Sequence, residues 1–169
     1  MSASWQSAAE SLDDATFEGL KAERQNLIDG CVADRFDQLK QDLLGLLKLQ
    51  GEGDGLTVED KTDDLGFDWL ILVGADFQDA IAAIHSAATS ILEEGLGDLL
   101  LAVAFRFQRE DRPEYWIYSY KTGTYYPFVP TGNHQRDNAE ELRLAALAKT
   151  ELPVEPTLER WYALWGIPV

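Results

Sequence analysis

Tyr115-Trp116-Ile117-Tyr118-Ser119-Tyr120-Lys121-Thr122-Gly123-Thr124-Tyr125-Tyr126-Pro127-Phe128-Val129-Pro130 is the run on which the fold turns. Its first half is aromatic and β-branched, the composition of a strand. Alternation sends Tyr115, Ile117 and Ser119 to one face and Trp116, Tyr118 and Tyr120 to the other. Thr122-Gly123 supplies a tight turn, because Gly123 tolerates the positive φ that a two-residue turn requires. Thr124–Val129 then returns as a strand, and Pro127, which has no N–H, makes that strand an edge or an irregular one. A face carrying three large aromatics is either covered by helices or serves in part as a binding surface. The hairpin tip and Pro127-Phe128 are the stronger surface candidates.

Working outward, Glu114–Lys121 is preceded by a second strand pattern, Asp98–Gln108, joined to it through Arg109–Pro113. Before that, Phe77, Ile81, Ile84, Ala88, Ile91 and Leu92 recur at helical spacing, with Asp76 as N-cap and Gly95 as stop. Leu56–Lys61 and Phe67–Val73 read as a hairpin around the turn residues Asp63-Asp64-Leu65-Gly66. Ala3 to Leu49 reads as helix, divided near Gly30, with a stripe at Phe36, Leu39, Leu43, Leu46 and Leu47. Downstream, Asn133–Asp137 offers N-caps for a helix to about Lys149. Pro156 sits at a helix N1 position, with Leu158, Trp161 and Trp165 on one face of a last helix. Strands joined by tight turns favour an antiparallel sheet, so the expected class is α+β, an antiparallel sheet packed against helices. Residues 1–50 form an N-terminal helical segment and 51–169 the α+β domain, as one compact unit.

The chain has 169 residues, 46% of them apolar, enough for a real core. Its one cysteine, Cys31, excludes an internal disulfide and fits a reducing compartment as a small core residue. No apolar run reaches the roughly 20 residues a spanning helix needs, and no leader pattern opens the chain. The expected location is therefore cytoplasmic, with no direct membrane insertion. Net charge is −16, from 14 Lys+Arg against 30 Asp+Glu. Divided at Leu65 it is −9 before (6 basic, 15 acidic) and −7 after (8 basic, 15 acidic), so the acidity is spread along the chain. Such a field repels nucleic acid and anionic lipid, and no nucleic-acid partner is expected.

The inventory for catalysis is thin. His85 falls within a helix and reads as partly buried or flanking, and His134 lies in a polar loop and reads as surface. No His/Cys/Asp/Glu cluster has metal spacing, and the Gly51–Gly55 acids and glycines lack the twelve-residue calcium pattern. Neither a P-loop nor a dinucleotide fingerprint is present. No cofactor or metal is expected. Paired acids such as Glu93-Glu94 and Glu140-Glu141 read as solvated faces. Asp137 can cap the helix that follows, and Arg136 can pair with a neighbouring carboxylate. The candidate protein-binding residues are Tyr120, Lys121, Thr122, Gly123, Tyr125, Tyr126, Pro127, Phe128 and Arg136, a density of aromatics, proline and arginine typical of recognition hot spots. Two alternatives stay open: an enzyme with a pocket near Tyr120, His134 and Arg136, and a structural homodimer pairing through a sheet edge or the N-terminal helices.

Gly66-Phe67-Asp68-Trp69-Leu70, Tyr118–Pro130, Arg136-Asp137-Asn138-Ala139-Glu140-Glu141-Leu142, and the tail Leu152–Pro156 with Arg160–Pro168 together resemble the PspA-associated protein family PspAB. The resemblance covers Gly66 to Val169 well and is looser from Phe36 to Leu65. The first thirty-odd residues depart from the family's usual start, a short basic segment and a Pro-rich stretch. The resemblance implies association with PspA, a coiled-coil protein of the phage-shock envelope-stress response. The family brings no catalytic residues to carry over. The element order also resembles that of bacterial secretion chaperones, which bind extended segments of partner proteins. The function these readings imply is a non-catalytic adaptor or regulator that binds a PspA-like coiled-coil protein or another protein segment.

Overall fold

A computed structural model describes residues 31–51, 55–73, 76–109 and 112–168. The expected helix upstream of Gly30 lies outside them. In the described residues the elements run α1 (Cys31–Gly51), β1 (Thr57–Thr62), β2 (Asp68–Val73), α2 (Phe77–Glu93), β3 (Ala102–Arg109), β4 (Arg112–Ser119), β5 (Thr124–Phe128), β6 (Pro130–Gly132), β7 (Gln135–Arg136) and α3 (Asn138–Ala148). Short 3-10 turns add Gly97–Leu99 and Leu158–Arg160. All strand pairs are antiparallel, and the class is α+β as expected. The chain divides into two compact units between Gly97 and Asp98, Pro168 belonging to the first.

That boundary changes the charge picture. Residues 1–97 carry 6 Lys+Arg against 20 Asp+Glu, net −14, and residues 98–169 carry 8 against 10, net −2. The acidity that seems spread when the chain is cut at Leu65 is concentrated in the first unit.

In the first unit β1 and β2 pair with Thr57 opposite Val73 and Thr62 opposite Asp68. Asp63 organises the turn, as its residue type promises. Its Oδ1 accepts from the Leu65 and Phe67 amides, both at 2.9 Å, and its Oδ2 from the Trp69 indole at 2.8 Å. Gly66 takes φ +83°, a left-handed conformation that glycine adopts without a Cβ penalty. Helix α1 packs against β1 and α2. Its buried stripe is Leu43, Leu44 and Leu47, whereas Leu46, expected inside, is exposed. Lys40 ties α1 to Asp60 of β1 at 3.0 Å.

Helix α2 has the expected ends. The Asp76 carboxylate accepts from the Gln78 amide at 2.7 Å. At the other end Gly95 (φ +72°) sends its N–H to Leu92 and Leu96 sends its N–H to Ile91, both at 3.0 Å, which together close the last turn. The buried face matches the expected one at Ala88 and Ile91 and departs from it elsewhere. Ala83, Ala87, Ala88 and Ile91 face inward, while Phe77, Ile81 and Leu92 are exposed. Small residues win because they let a helix approach its neighbours closely, a choice that ranking by side-chain hydrophobicity cannot see.

In the second unit β3, β4 and β5 form one sheet in that order. Its core face gathers Tyr115, Ile117, Tyr126 and Phe128 with Ala145 of α3 and Trp161 of the tail. Ile117 is fully enclosed and Phe128 is 1% exposed. The edge position of β5 expected from Pro127 is what the sheet shows. Tyr125 directs both backbone groups away from β4, donating to Pro153 and accepting from Glu155, each at 2.8 Å. Pro127, two residues on, turns the same way, so its missing N–H costs the ladder no bond.

Two expectations fail here. The β4–β5 connection is four residues, Tyr120–Gly123, not two: Ser119 pairs with Thr124, and the Gly123 amide bonds to Ser119 O at 2.8 Å. Gly123 does take positive φ, +67°. The last helix is absent beyond the 3-10 turn. The tail instead lies against the β5 edge through Val154 and Tyr125. The Trp161 carbonyl, which would accept from residue 165 in a helix, takes a bond from Arg136 Nη1 at 2.7 Å.

Candidate functional site

The sheet of the second unit has two unlike faces, and they divide the candidate residues. Tyr126, Pro127 and Phe128 stand as surface candidates in the sequence, but all three are buried. Phe128 packs on Tyr115 at 6.0 Å and on Trp165 at 5.1 Å between ring centroids. The reason is the tail, which folds over the core face and brings Trp161 and Trp165 onto these rings. Burial pushes the Tyr126 phenol far above its ordinary range, against a lowering by the nearby Arg136 charge.

Arg136 is also part of this buried side. Asp137 caps α3 by accepting from the Glu140 amide at 3.0 Å, and its own N–H bonds to Val129 O at 2.8 Å, so Arg136 is aimed back over β5. Its Nε donates to both oxygens of Glu141 at 2.9 Å. Its guanidinium lies over the Phe128 ring, 5.3 Å from the centroid. Its Nη2 is buried and finds no hydrogen-bond partner. Glu141 is only 2% exposed and also accepts from the Val129 amide at 2.8 Å. The expectation that Arg136 pairs with a neighbouring carboxylate holds. The reading of Glu140-Glu141 as a solvated face fails for Glu141. Position 141 shares the inward stripe of α3 with Ala145, four residues on, and that spacing with a cation five residues earlier is the signal sequence reading missed. Its neighbour Glu140 is half-buried, held by Arg143 and Arg109 at 2.5 and 2.6 Å. The Arg143 hydrogen bond holds the Glu140 carboxyl below the ordinary carboxylate range.

Glu155 is a second buried acid, 3% exposed, that sequence reading passed over. It accepts from Thr124 Oγ1 and from the Thr157 amide, each at 3.0 Å. Its backbone carbonyl takes the Trp161 indole N–H at 2.9 Å. Glu141 and Glu155 thus stitch α3, β5 and the tail together, each with its oxygens occupied by protein donors.

The opposite face carries Tyr118, Tyr120 and Tyr125, all half-buried. Tyr118 meets Tyr120 edge-on at 5.2 Å and Tyr125 at 4.8 Å. Burial, then the neighbouring Tyr118 and Tyr125 phenols, raise the Tyr120 pKa above its ordinary value. The turn beside them exposes Lys121, Thr122 and Gly123, with the Thr122 and Thr124 hydroxyls bonded at 2.5 Å. Five of the nine candidates, Tyr120, Lys121, Thr122, Gly123 and Tyr125, therefore gather at one hairpin tip. Tyr126, Phe128 and Arg136 lie on the core face behind it, with Pro127 buried in the strand between.

The pocket pictured around Tyr120, His134 and Arg136 does not assemble. Tyr120 stacks on the outer face and Arg136 lies on the core face of the same sheet. His134 is exposed and sits in a two-residue turn in which Asn133 and His134 both take positive φ, 51° and 53°. This β6–β7 hairpin escapes a sequence reading that sees Asn133–Asp137 only as helix caps. The His134 ring meets Trp165 at 5.4 Å. His85 is exposed on α2, and nearby Ser90 donates its hydroxyl to Ser86 O at 3.1 Å. Among the described residues no group of three or more His, Cys, Asp and Glu converges as a metal would need, and no helix is long and apolar enough to cross a membrane.

No curated protein and no solved structure matches the chain significantly. The family model described as PspA associated protein B matches residues 16–169, extending the resemblance carried by residues 66–169 toward the N-terminus. A match over nearly the whole chain places it: this protein belongs to the PspA associated protein B family.

Proposed function

We propose that this protein is a non-catalytic protein-binding adaptor or regulator linked to a PspA-type envelope-stress response, and that it grips a PspA-like coiled-coil protein with the β4–β5 tip. The observation that carries this reading is the Tyr118–Tyr120–Tyr125 cluster on the face opposite the core, ring against ring beside the exposed turn. Tyrosines held this way offer large amphipathic contact area and have few rotamers left to lose on binding. The family's name, PspA associated protein B, supports a PspA-like protein as the partner. Concentration of negative charge in residues 1–97 supplies steering toward basic stretches of a coiled coil, so the on-rate falls as salt rises.

The test is a titration of the protein with a purified PspA-like coiled-coil protein at low and moderate salt. Tyr120→Ala/Tyr125→Ala is expected to weaken binding by about 2 kcal/mol or more, the hot-spot range, with the fold intact. A folded double variant that binds as tightly as wild type removes the tip from consideration. Tyr126 and Phe128 are unsuitable for this test, because truncating them opens the core.

A further inference from the structure

We infer that the outer edge of β3 is a docking strand for an extended segment of another protein, with a carboxylate set opposite Arg106. This does not rest on the coiled-coil reading, since it uses a different edge of the sheet and a partner in a different conformation.

The two edges of the β3-β4-β5 sheet are treated differently. The β5 edge is closed by Pro127 and by the tail, which bonds on both sides of Tyr125. The direction of every backbone group then follows by alternation. Tyr125 faces away from β4, so Thr124, Tyr126 and Phe128 face it, and they pair with Ser119, Ile117 and Tyr115. Glu114, Trp116 and Tyr118 must therefore face β3, where they pair with Phe107, Phe105 and Val103. The Tyr120 amide donating to Leu101 O at 3.2 Å continues the same series. Ahead of Gln108, which the same alternation also turns outward, Ala102, Ala104 and Arg106 are left facing outward.

The N–H and C=O groups of these three residues bond to no other backbone among the described residues. The β3–β4 register runs unbroken from Ala102 opposite Ser119 to Arg109 opposite Arg112, so no bulge twists this edge away. β3 also contains no proline. Proteins normally blunt a regular edge, because its free donors and acceptors template pairing with another strand. An edge left open beside one that is closed is the arrangement used for strand addition.

The side chains define the occupant. Ala102 and Ala104 pack on the core face as half-buried residues, so apolar side chains at alternate positions of a docked strand would extend that face. Arg106 is exposed, makes its side-chain bond to Gln108 at 3.0 Å, and joins no ion pair among the described residues, so a carboxylate suits the position opposite it. A second copy of this chain fits less well. Antiparallel pairing centred on Ala104 sets Arg106 against the other copy's alanine at 102, with no carboxylate for it.

The experiment is residue-resolved amide exchange on the full chain, with and without a synthetic seven-residue peptide alternating valine and threonine around one glutamate. The free protein should exchange quickly at Ala102, Ala104 and Arg106 and slowly at Val103 and Phe105, and the peptide should slow the three outward amides at least about tenfold. Ala104→Pro removes one outward N–H and leaves the β4 ladder intact, so it should weaken peptide binding about tenfold or more with Val103 and Phe105 still protected. Should that variant not fold, a peptide N-methylated at alternate amides decides, and equal affinity for it overturns the inference. So do outward amides already protected in the free monomer, absence of protection at millimolar peptide, or protection that rises with protein concentration alongside a dimer mass in light scattering.

Discussion

Glu141→Ala is the substitution whose cost the structure specifies best. The carboxylate is 2% exposed, accepts from Arg136 Nε on both oxygens at 2.9 Å, and takes the Val129 amide at 2.8 Å. Alanine leaves the Arg136 charge, whose side chain is 19% exposed, without its counter-ion and the Val129 N–H without an acceptor. Breaking a buried ion pair from one side costs about 3–5 kcal/mol, and an orphaned amide is part of that sum. For a unit of this size about 3 kcal/mol corresponds to a fall of roughly 12–24 °C in melting temperature. Urea unfolding followed by tryptophan fluorescence reads it, because Trp161 and Trp165 pack on the cluster the pair supports. Glu141→Gln keeps an acceptor for Val129 while discarding the charge, and should lose less than alanine does. Arg136→Met with Glu141→Leu should recover part of the alanine loss, since it removes the unpaired charge. A loss under about 1 kcal/mol for Glu141→Ala, in the range of an exposed pair, refutes the reasoning.

The buried Tyr126 phenol resists ionisation in the folded state, whereas an unfolded tyrosine ionises near 10.0, so stability is full below pH 10 and declines above it. Tyr126→Phe should flatten that alkaline decline in pH-dependent urea midpoints; an unchanged slope counts against the burial argument. The Arg143 hydrogen bond holds Glu140 below the usual carboxylate range, so its contribution is present above the unfolded value and lost as pH falls through the folded one. Carboxyl NMR should place the Glu140 titration below 4.5, and Arg143→Ala should raise it toward that value. Asp63→Ala removes acceptors for two amides and the Trp69 indole and should cost about 1–3 kcal/mol, measured by the melting temperature of the first unit. A neutral result there means the β1–β2 turn holds without its aspartate.

Local rules made much of this fold legible. Asp76 and Gly95 bracket α2, Asp63 and Gly66 make the β1–β2 turn, Asp137 starts α3, and Pro127 marks an edge. Each acts on its own backbone or on neighbours within a few residues, so its effect is written in a short window of sequence. The family was legible too, because its motifs are runs of contiguous residues. Which side of each element faces inward was legible only in part: Leu43, Leu47, Ala88 and Ile91 lie inside as their spacing predicts, and the tertiary structure decided the rest. Phe77 and Ile81 yield the interior of α2 to alanines, Glu141 enters the core because Arg136 lies across from it, and Tyr126 and Phe128 are covered by a tail some thirty residues away. The tail itself keeps a helical spacing of tryptophans and still does not form a helix, since its backbone is claimed by Tyr125 and Arg136. Burial and ion pairing depend on what arrives from elsewhere in the chain, and no local window contains that partner.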